Sequence, residues 1–379
     1  MVKNRNLFRL TRFILLKLPF LFRFLAKFRG RKKRLLIIKT DAIGDYVLFR
    51  NYLEFVKDSE RFKDYRVDLL GNTIWQDFAL QNDAAFIDNF YFTKSYALYG
   101  EPFETLKLGW RLFKNNYETV LLPSYSRILS TDGLAGLTAA KQIIGFESDN
   151  EGIPARYKKK TDKFYTDRLI LPPEIYFEFE RSRFFFQNVL NCRIDIVAPS
   201  LPFNKTTKEG IVIFPGAGTV KRGWEKEKFL ALIKIITEHS LQTIYLAGGP
   251  AETDIGNYLT ENLQLERVNN LTGKTSLAQL VDLIGNASLV IANETSAIHI
   301  AVATKTKSVC ILGGGHFGRF APYPAEFENA PVCVFEKMEC YNCNWVCKFK
   351  TEENEPYPCV TNISFERVTA AVLQFLQPN

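Results

Sequence analysis

Residues Ser288–Gly315, SLVIANETSAIHIAVATKTKSVCILGGG, carry the reading of the fold. Ser288–Ala292 is an apolar run that stops abruptly at polar residues, the pattern of a buried parallel strand. Asn293, Glu294, Thr295 and Ser296 make a tight polar turn. Apolar residues at helical spacing over Ala297–Thr304 predict a helix starting at about Ser296. Ser308–Leu312 is a second apolar strand, closed by three glycines. Strand, turn, helix and strand in that order are half of a doubly wound sheet, whose ligands bind beyond the carboxyl ends of its strands. A helix N-terminus at that edge offers free N–H groups and partial positive charge to a phosphate. Thr295 and Ser296 add hydroxyls there, Glu294 adds a carboxylate able to accept from sugar hydroxyls, and His299 faces either the ligand or the sheet. Taken singly, Thr295 or Ser296 reads as a helix cap and His299 as a buried imidazole. Taken as a cluster between two strands, they read as a ligand site.

The same alternation runs through the rest of the chain. Upstream of the opening stretch, Ile211–Phe214 is a buried strand followed by the glycine turn Pro215-Gly216-Ala217-Gly218-Thr219, then Lys221, Arg222, Gly223 and Trp224. Backbone N–H groups at close range with a neighbouring cation suit a phosphate. Thr243–Ala247 is another strand, ending at Gly248-Gly249. Three strand ends in one sheet, Pro215–Thr219, Gly248-Gly249 and Glu294–Ser296, thus carry turn or hydroxyl chemistry on the same side. The alternative for Lys221 and Arg222 is a solvated loop, which the shared strand-end chemistry disfavours.

The first half starts the pattern with Arg34–Thr40 (RLLIIKT) as a strand, the turn Asp41-Ala42-Ile43-Gly44-Asp45, and a helix over Tyr46–Val56. Asp45 stands where the strand ends and the helix starts. It caps the helix and complements its dipole, and it is also placed to take a proton. Gly44 permits a tight turn or a close ligand. Further strands are expected at Tyr65–Leu70, Ile87–Phe92, Glu118–Leu122 and Gln142–Gly145, with helices between. Asn150–Asp167 breaks the rhythm as a polar loop carrying Arg156, Lys158, Lys159 and Lys160. Its cations suit an acidic acceptor, or simply water. The domains read as a basic arm over residues 1–33, a first Rossmann-like domain over 34–198, a linker over 199–210 (PSLPFNKTTKEG from Pro199), a second domain over 211–362, and a C-terminal helix over 363–379.

The net charge of +8 is localised. Residues 1–34 hold 12 of the 49 Lys/Arg residues and no Asp or Glu, leaving 37 basic against 41 acidic residues in the body. A nucleic-acid groove needs basic charge spread over a folded face, so nucleic acid is not an expected partner. The arm mixes Leu, Ile and Phe with Arg and Lys. Its longest apolar stretch, Phe13–Phe22, contains Lys17 and Pro19 and is too short to span a bilayer. It reads as an amphipathic segment lying on an anionic membrane surface, with a disordered leader or a helix packed on the body as alternatives. With no signal peptide apparent, the seven cysteines are expected to be reduced, Cys192 and Cys310 as core residues. Within the Cys-rich segment 333–359, Cys340, Cys343, Cys347 and Cys359 have the spacing of a possible structural zinc site, against unliganded thiols.

DAIGD after the first strand, FPGAG with KRGW, GKTSLAQL and NETSAIHIA together resemble glycosyltransferase family 9, the ADP-heptose:lipopolysaccharide heptosyltransferases, over about residues 34–375. The resemblance implies an α/β GT-B fold, two Rossmann-like domains facing across a cleft, with the nucleotide sugar held mainly by the second. It implies an inverting transfer from an ADP-sugar, most simply ADP-heptose, that needs no metal or other cofactor. The acceptor is then a lipopolysaccharide core or similar glycolipid at the inner face of the bacterial inner membrane. Asp45 inherits the role of general base. Gly216, Ala217, Gly218, Thr219, Lys221 or Arg222, Gly248, Glu294, Thr295, Ser296 and His299 would hold the donor, and Gly44, Arg156 and Lys158 the acceptor. Two departures stand out: a glycine is inserted between the basic pair and Trp224, and the family's Asp-Thr-Gly is Glu294-Thr295-Ser296. The alternative of another class is a non-catalytic nucleotide-sugar-binding relative in cell-envelope assembly. A nicotinamide oxidoreductase lacks its G-x-G-x-x-G after the first strand.

Overall fold

Apolar runs buried on both faces need helices above and below them, and both halves of the chain meet that need in the same way. In the computed structural model, which describes residues 4–94 and 96–376, the chain divides into two units between Asp195 and Ile196. Among the described residues the first unit contains strands β1 (Lys32–Ile38), β2 (Arg66–Asn72), β3 (Asn89–Thr93), β4 (Tyr117–Leu121), β5 (Gln142–Phe146) and β6 (Asp167–Leu169). They form one parallel sheet in the order β3-β2-β1-β4-β5-β6. Its helices are α1 (Arg5–Leu25), α2 (Ile43–Phe49), α3 (Tyr52–Asp58), α4 (Gln76–Asn82), α5 (Pro102–Lys114), α6 (Leu129–Thr138), α7 (Ala155–Thr161) and α8 (Glu178–Leu190).

The second unit contains β7 (Ile211–Phe214), β8 (Ile244–Leu246), β9 (Val268–Asn270), β10 (Leu289–Asn293), β11 (Ser308–Ile311) and β12 (Val332–Val334), parallel in the order β12-β11-β10-β7-β8-β9. Its helices are α9 (Lys226–His239), α10 (Thr253–Leu263), α11 (Leu277–Gly285), α12 (Ser296–Ala303), α13 (Pro358–Thr361) and α14 (Phe365–Leu373). Read from the other edge, the second sheet has the strand order of the first, the 3-2-1-4-5-6 of a dinucleotide-type doubly wound sheet. The order reverses between β1 and β4 in one unit and between β7 and β10 in the other. Those two switch points are where ligands of such sheets bind.

Several expectations are corrected. The helix expected over Tyr46–Val56 is two, α2 and α3, separated at Arg50 and Asn51. The expected loop Asn150–Asp167 contains α7 and leads into β6, because Tyr157 and Thr161 are buried and Thr161 bonds to buried Asp132 and Arg127. The strands β6, β9 and β12 were not anticipated. Each is a three-residue edge strand; β6 and β9 carry polar residues, and β12, though apolar, is too short to stand out as a strand. The C-terminal helix α14 packs on α9, β11 and β12 of its own unit, burying Val368 and Val372. The last three residues of the expected helix, 377–379, lie outside the described residues.

The basic arm is also partly absorbed into the fold. Helix α1 is capped by Asn4 and buries Thr11, Ile14, Leu15, Pro19 and Phe22 against α5 and α6. The small residues of α6 allow the approach: a Cβ on Gly133 would lie 2.5 Å from Leu15, and one on Gly136 would lie 3.1 Å from Pro19. A second face of α1 stays exposed and apolar. Of 22 large apolar residues exposed among the described residues, eight lie between Leu7 and Phe28, and Phe103, Leu106 and Trp110 of neighbouring α5 add three more. No helix among the described residues is long and apolar enough to cross a membrane.

Candidate active site

In the first unit the carboxyl end of β1 continues as Lys39, Thr40 and Asp41, and α2 begins at Ile43, which puts Asp45 in its first turn, half-buried. Lys39 is fully buried. Its ammonium lies 2.8 Å from Asp41 and 3.3 Å from Ser124 Oγ, which donates to Asp41 at 2.5 Å. This network bridges the ends of β1 and β4, the switch point. Burial opposes the Lys39 charge, but Asp41, Asp45 and Glu178 outweigh it and raise its pKa, so the lysine is a cation facing three carboxylates. Lys39, Asp41 and Ser124 were not among the residues singled out from sequence. Lys39 read as the end of an apolar strand, and Ser124 lay just past the strand expected at Glu118–Leu122.

The expected acceptor cations separate. Lys158 is committed to Glu147 at 2.6 Å, with Asp162 at 3.8 Å. Arg168 joins both carboxylates, so Lys158 completes a local ion-pair cluster rather than offering a free charge. Arg156 is exposed on α7, its guanidinium 4.8 Å from the Tyr157 ring. Gly44 lies in the first turn of α2, beside Asp45.

In the second unit the switch point is built on Asn293, the last residue of β10. Its amide donates to Pro215 O at 2.7 Å and Gly216 O at 3.2 Å, and accepts from Trp224 N at 3.0 Å. One buried side chain thereby fixes the glycine turn after β7 and the start of α9. It was read from sequence only as a turn residue. Gly218 has φ +73°, a left-handed conformation that glycine accepts without strain. A Cβ on Gly216 would lie 2.0 Å from Glu252, and one on Gly248 would lie 2.8 Å from it, so Glu252 covers both glycine turns. A cavity of about 650 Å³ opens here, lined by Gly216–Val220, Glu252 and Asp254 among others.

Beside this turn, Glu294 is 8% exposed, and burial pushes its carboxyl up to about 7, with Arg222 pulling it only part of the way back. Burial likewise lowers the Arg222 guanidinium, and Glu294 raises it. Glu294 Oε2, Arg222 Nε and Thr295 Oγ1 are all buried without a hydrogen-bond partner. Thr295 occupies the N-cap position of α12, yet its hydroxyl caps nothing. Ser296 opens that helix. Such unmet polar groups at a helix N-terminus mark where a ligand's oxygens fit.

The basic pair divides. Lys221 donates to Thr351 Oγ1 at 2.8 Å and to the carbonyl of Glu352, which ties it to the Cys-rich segment. Arg222 stacks 4.5 Å from the Trp345 ring and faces Glu294. His299 is buried, with Nδ1 2.6 Å from Tyr323 Oη and Phe320 edge-on, and burial lowers its pKa to about 4. It is a neutral imidazole packed behind the turn. Of the two readings of the cysteines, the zinc site is not formed: among the described residues no group of three or more His, Cys, Asp or Glu side chains is arranged to hold a metal ion. The segment has another anchor. Trp345 and Tyr341 lie on Gly313–Gly315, where a Cβ would meet their rings at 2.3–2.6 Å, and Asn342 and Asn344 donate backbone N–H to Gly314 and Gly315.

Two doubly wound units of matching strand order, each with polar chemistry at its switch point, define the fold as GT-B. Residues 186–348 match the model of glycosyltransferase family 9 (heptosyltransferase). The chain is similar to lipooligosaccharide heptosyltransferase 2 of Campylobacter jejuni, 26% identical over 208 residues. That match covers 52% of this chain and 63% of the relative, so the chain spans less than two thirds of that relative's length. Among solved structures, a family 9 glycosyltransferase from Veillonella parvula superposes with a TM-score of 0.71 at 15% identity, covering 92% of this chain and 98% of that one. The E. coli heptosyltransferase WaaC with ADP-2-deoxy-2-fluoro heptose gives 0.63 at 17%, covering 90% and 98%. At such identities the likeness speaks to the fold.

Proposed function

We propose that this chain is an inverting, metal-independent glycosyltransferase. It moves a heptose or related sugar from an ADP-sugar to a lipopolysaccharide core or similar glycolipid acceptor. The observation that carries the reading is the set of orphaned polar atoms of Arg222, Glu294 and Thr295 beside the Asn293-braced glycine turn. A diphosphate satisfies the guanidinium, the threonine hydroxyl and the turn's amides, while a sugar hydroxyl donates to Glu294. Asp45 takes the proton of the acceptor hydroxyl as that oxygen attacks the anomeric carbon. The bond to the diphosphate breaks, and its negative charge is met by Arg222, the N-terminus of α12 and the glycine-turn amides. Lys39, held by Asp41, keeps a positive charge near Asp45. The exposed apolar face of α1, with its basic residues, lies on an anionic membrane surface at the cytoplasmic face of the inner membrane.

The direct test is transfer to a glycolipid acceptor from ADP-, UDP- and GDP-sugars without added metal, with products read by mass. Turnover is expected with ADP-heptose. A preference for UDP- or GDP-sugars would overturn the donor assignment.

The raised Glu294 carboxyl predicts a pH dependence for donor binding. Below about 7 it gains a proton and its repulsion of the diphosphate vanishes; above that it is a carboxylate beside like charge. An ADP-sugar, whose own diphosphate does not titrate in this range, is expected to bind roughly three- to tenfold more tightly at pH 6 than at pH 8. Glu294→Gln is expected to flatten that dependence. Calorimetry of both proteins across the range checks it, and an unchanged slope in the variant would assign the titration elsewhere.

A further inference from the structure

A cavity of about 440 Å³ lies where α1 meets α7, and the transfer chemistry makes no use of it. Five cations line it: Arg9, Arg12 and Lys17 from α1, Arg156 and Lys160 from α7. No carboxylate among the described residues lines it. The nearby acids Glu147 and Asp162 are already paired with Lys158 and Arg168. Like charges gathered without a counter-charge repel one another, so the arrangement is relieved by a bound anion. Two of the cations are pre-oriented. Arg12 donates to Tyr157 Oη at 2.9 Å, and the Arg12 and Arg156 guanidinium groups lie 5.8 and 4.8 Å from the same buried Tyr157 ring. Paired guanidinium groups with supporting ammonium groups suit the several oxygens of a phosphate.

What borders the cavity says where that phosphate comes from. Leu16 and Phe13 also line it, and Phe13 is 54% exposed. Phe13 belongs to the exposed apolar face of α1, with Leu10, Phe20 and Phe24. An anion pocket opening beside an apolar stripe matches an amphiphile, whose charged head and acyl chains need both. We propose that this cavity binds the phosphate-bearing headgroup of an anionic membrane lipid and so fixes α1 on the bilayer in one orientation. The proposal rests on the membrane reading above and adds a discrete site to it.

The test is binding of the full chain to phosphatidylcholine vesicles containing about one-fifth phosphatidic acid, at constant salt. The triple variant Arg12→Gln/Arg156→Gln/Lys160→Gln removes pocket charge. Its control, Arg5→Gln/Lys27→Gln/Lys159→Gln, removes equal charge from exposed positions outside the pocket. The pocket variant is expected to lose roughly tenfold more affinity than the control, the difference between charge-assisted hydrogen bonds and diffuse surface attraction. Because Arg12 also touches Tyr157, Arg156→Gln/Lys160→Gln, which alters only exposed side chains, repeats the comparison against Arg5→Gln/Lys27→Gln. Equal losses would overturn the pocket while leaving the membrane reading standing. A wild-type chain that ignores anionic vesicles would overturn both. Release from the vesicles by low-millimolar inorganic phosphate, at matched ionic strength, would reassign the site to free phosphate and overturn the lipid.

Discussion

Asp45→Asn is expected to lower turnover by roughly 10²- to 10⁴-fold while leaving ADP-sugar affinity within about twofold of the wild type. The substitution keeps the shape of the side chain and removes its ability to take a proton. Lys39, Asp41 and Ser124 keep their contacts with one another, while Lys39 loses one of the three carboxylates that favour its charge. Donor affinity is expected to hold because the residues assigned to the donor, the glycine turn, Arg222 and Glu294–Ser296, all belong to the second unit. Loss of a negative charge from the first turn of α2 costs about 0.3–1 kcal/mol of helix-dipole stabilisation, which lowers the melting temperature slightly without unfolding the chain. Steady-state rates with a glycolipid acceptor, alongside calorimetry with the donor alone, separate the two effects. Near-wild-type turnover would remove Asp45 from the proton transfer. Equal loss of rate and donor affinity would make it a structural residue.

Both central sheets were legible in the sequence because buried parallel strands write uninterrupted apolar runs, and RLLIIKT, IVIF and SLVIA are such runs. Edge strands do not. DRL, VNN and VCV bury one partner edge only, and their polar or short character hid β6, β9 and β12. The turns that carry the candidate chemistry were legible too, since glycines and hydroxyls at strand ends are local signals. Relations between distant turns were not. Asn293 and Pro215 are 78 residues apart, and only the pairing of β10 with β7 brings them together. Lys39 and Ser124 meet across β1 and β4 in the same way. The choice between Lys221 and Arg222 stayed open in the sequence for the same reason. Adjacent in sequence, they diverge because the Cys-rich segment, 130 residues on, takes the lysine and leaves the arginine facing Glu294. The arm shows the limit of composition. Its basic and apolar content announced an amphipathic helix, but only Gly133 and Gly136 of α6 decide that one apolar face belongs to the core.

That division of the basic pair leads to a test by contrast. Arg222→Gln is expected to weaken ADP-sugar binding by roughly 10²- to 10³-fold, the loss on removing one partner of a buried charge pair. It is also expected to lower turnover, because the diphosphate leaves with its charge unmet. Global stability is expected to change little. The cation's removal leaves Glu294 without the one charge that favours its ionised form, so its carboxyl rises beyond about 7 and is protonated, hence neutral, at neutral pH. The guanidinium's own burial is unfavourable and is relieved at the same time. Lys221→Gln reverses the balance. Its ammonium holds Thr351 and Glu352, so that change is expected to loosen the Cys-rich segment and raise its backbone exchange, with donor affinity reduced by less than about tenfold. Hydrogen exchange and donor calorimetry on both variants give opposite patterns if Arg222 faces the diphosphate. Donor loss confined to the Lys221 variant would exchange the two roles and require the Thr351 and Glu352 contacts to open before the donor binds.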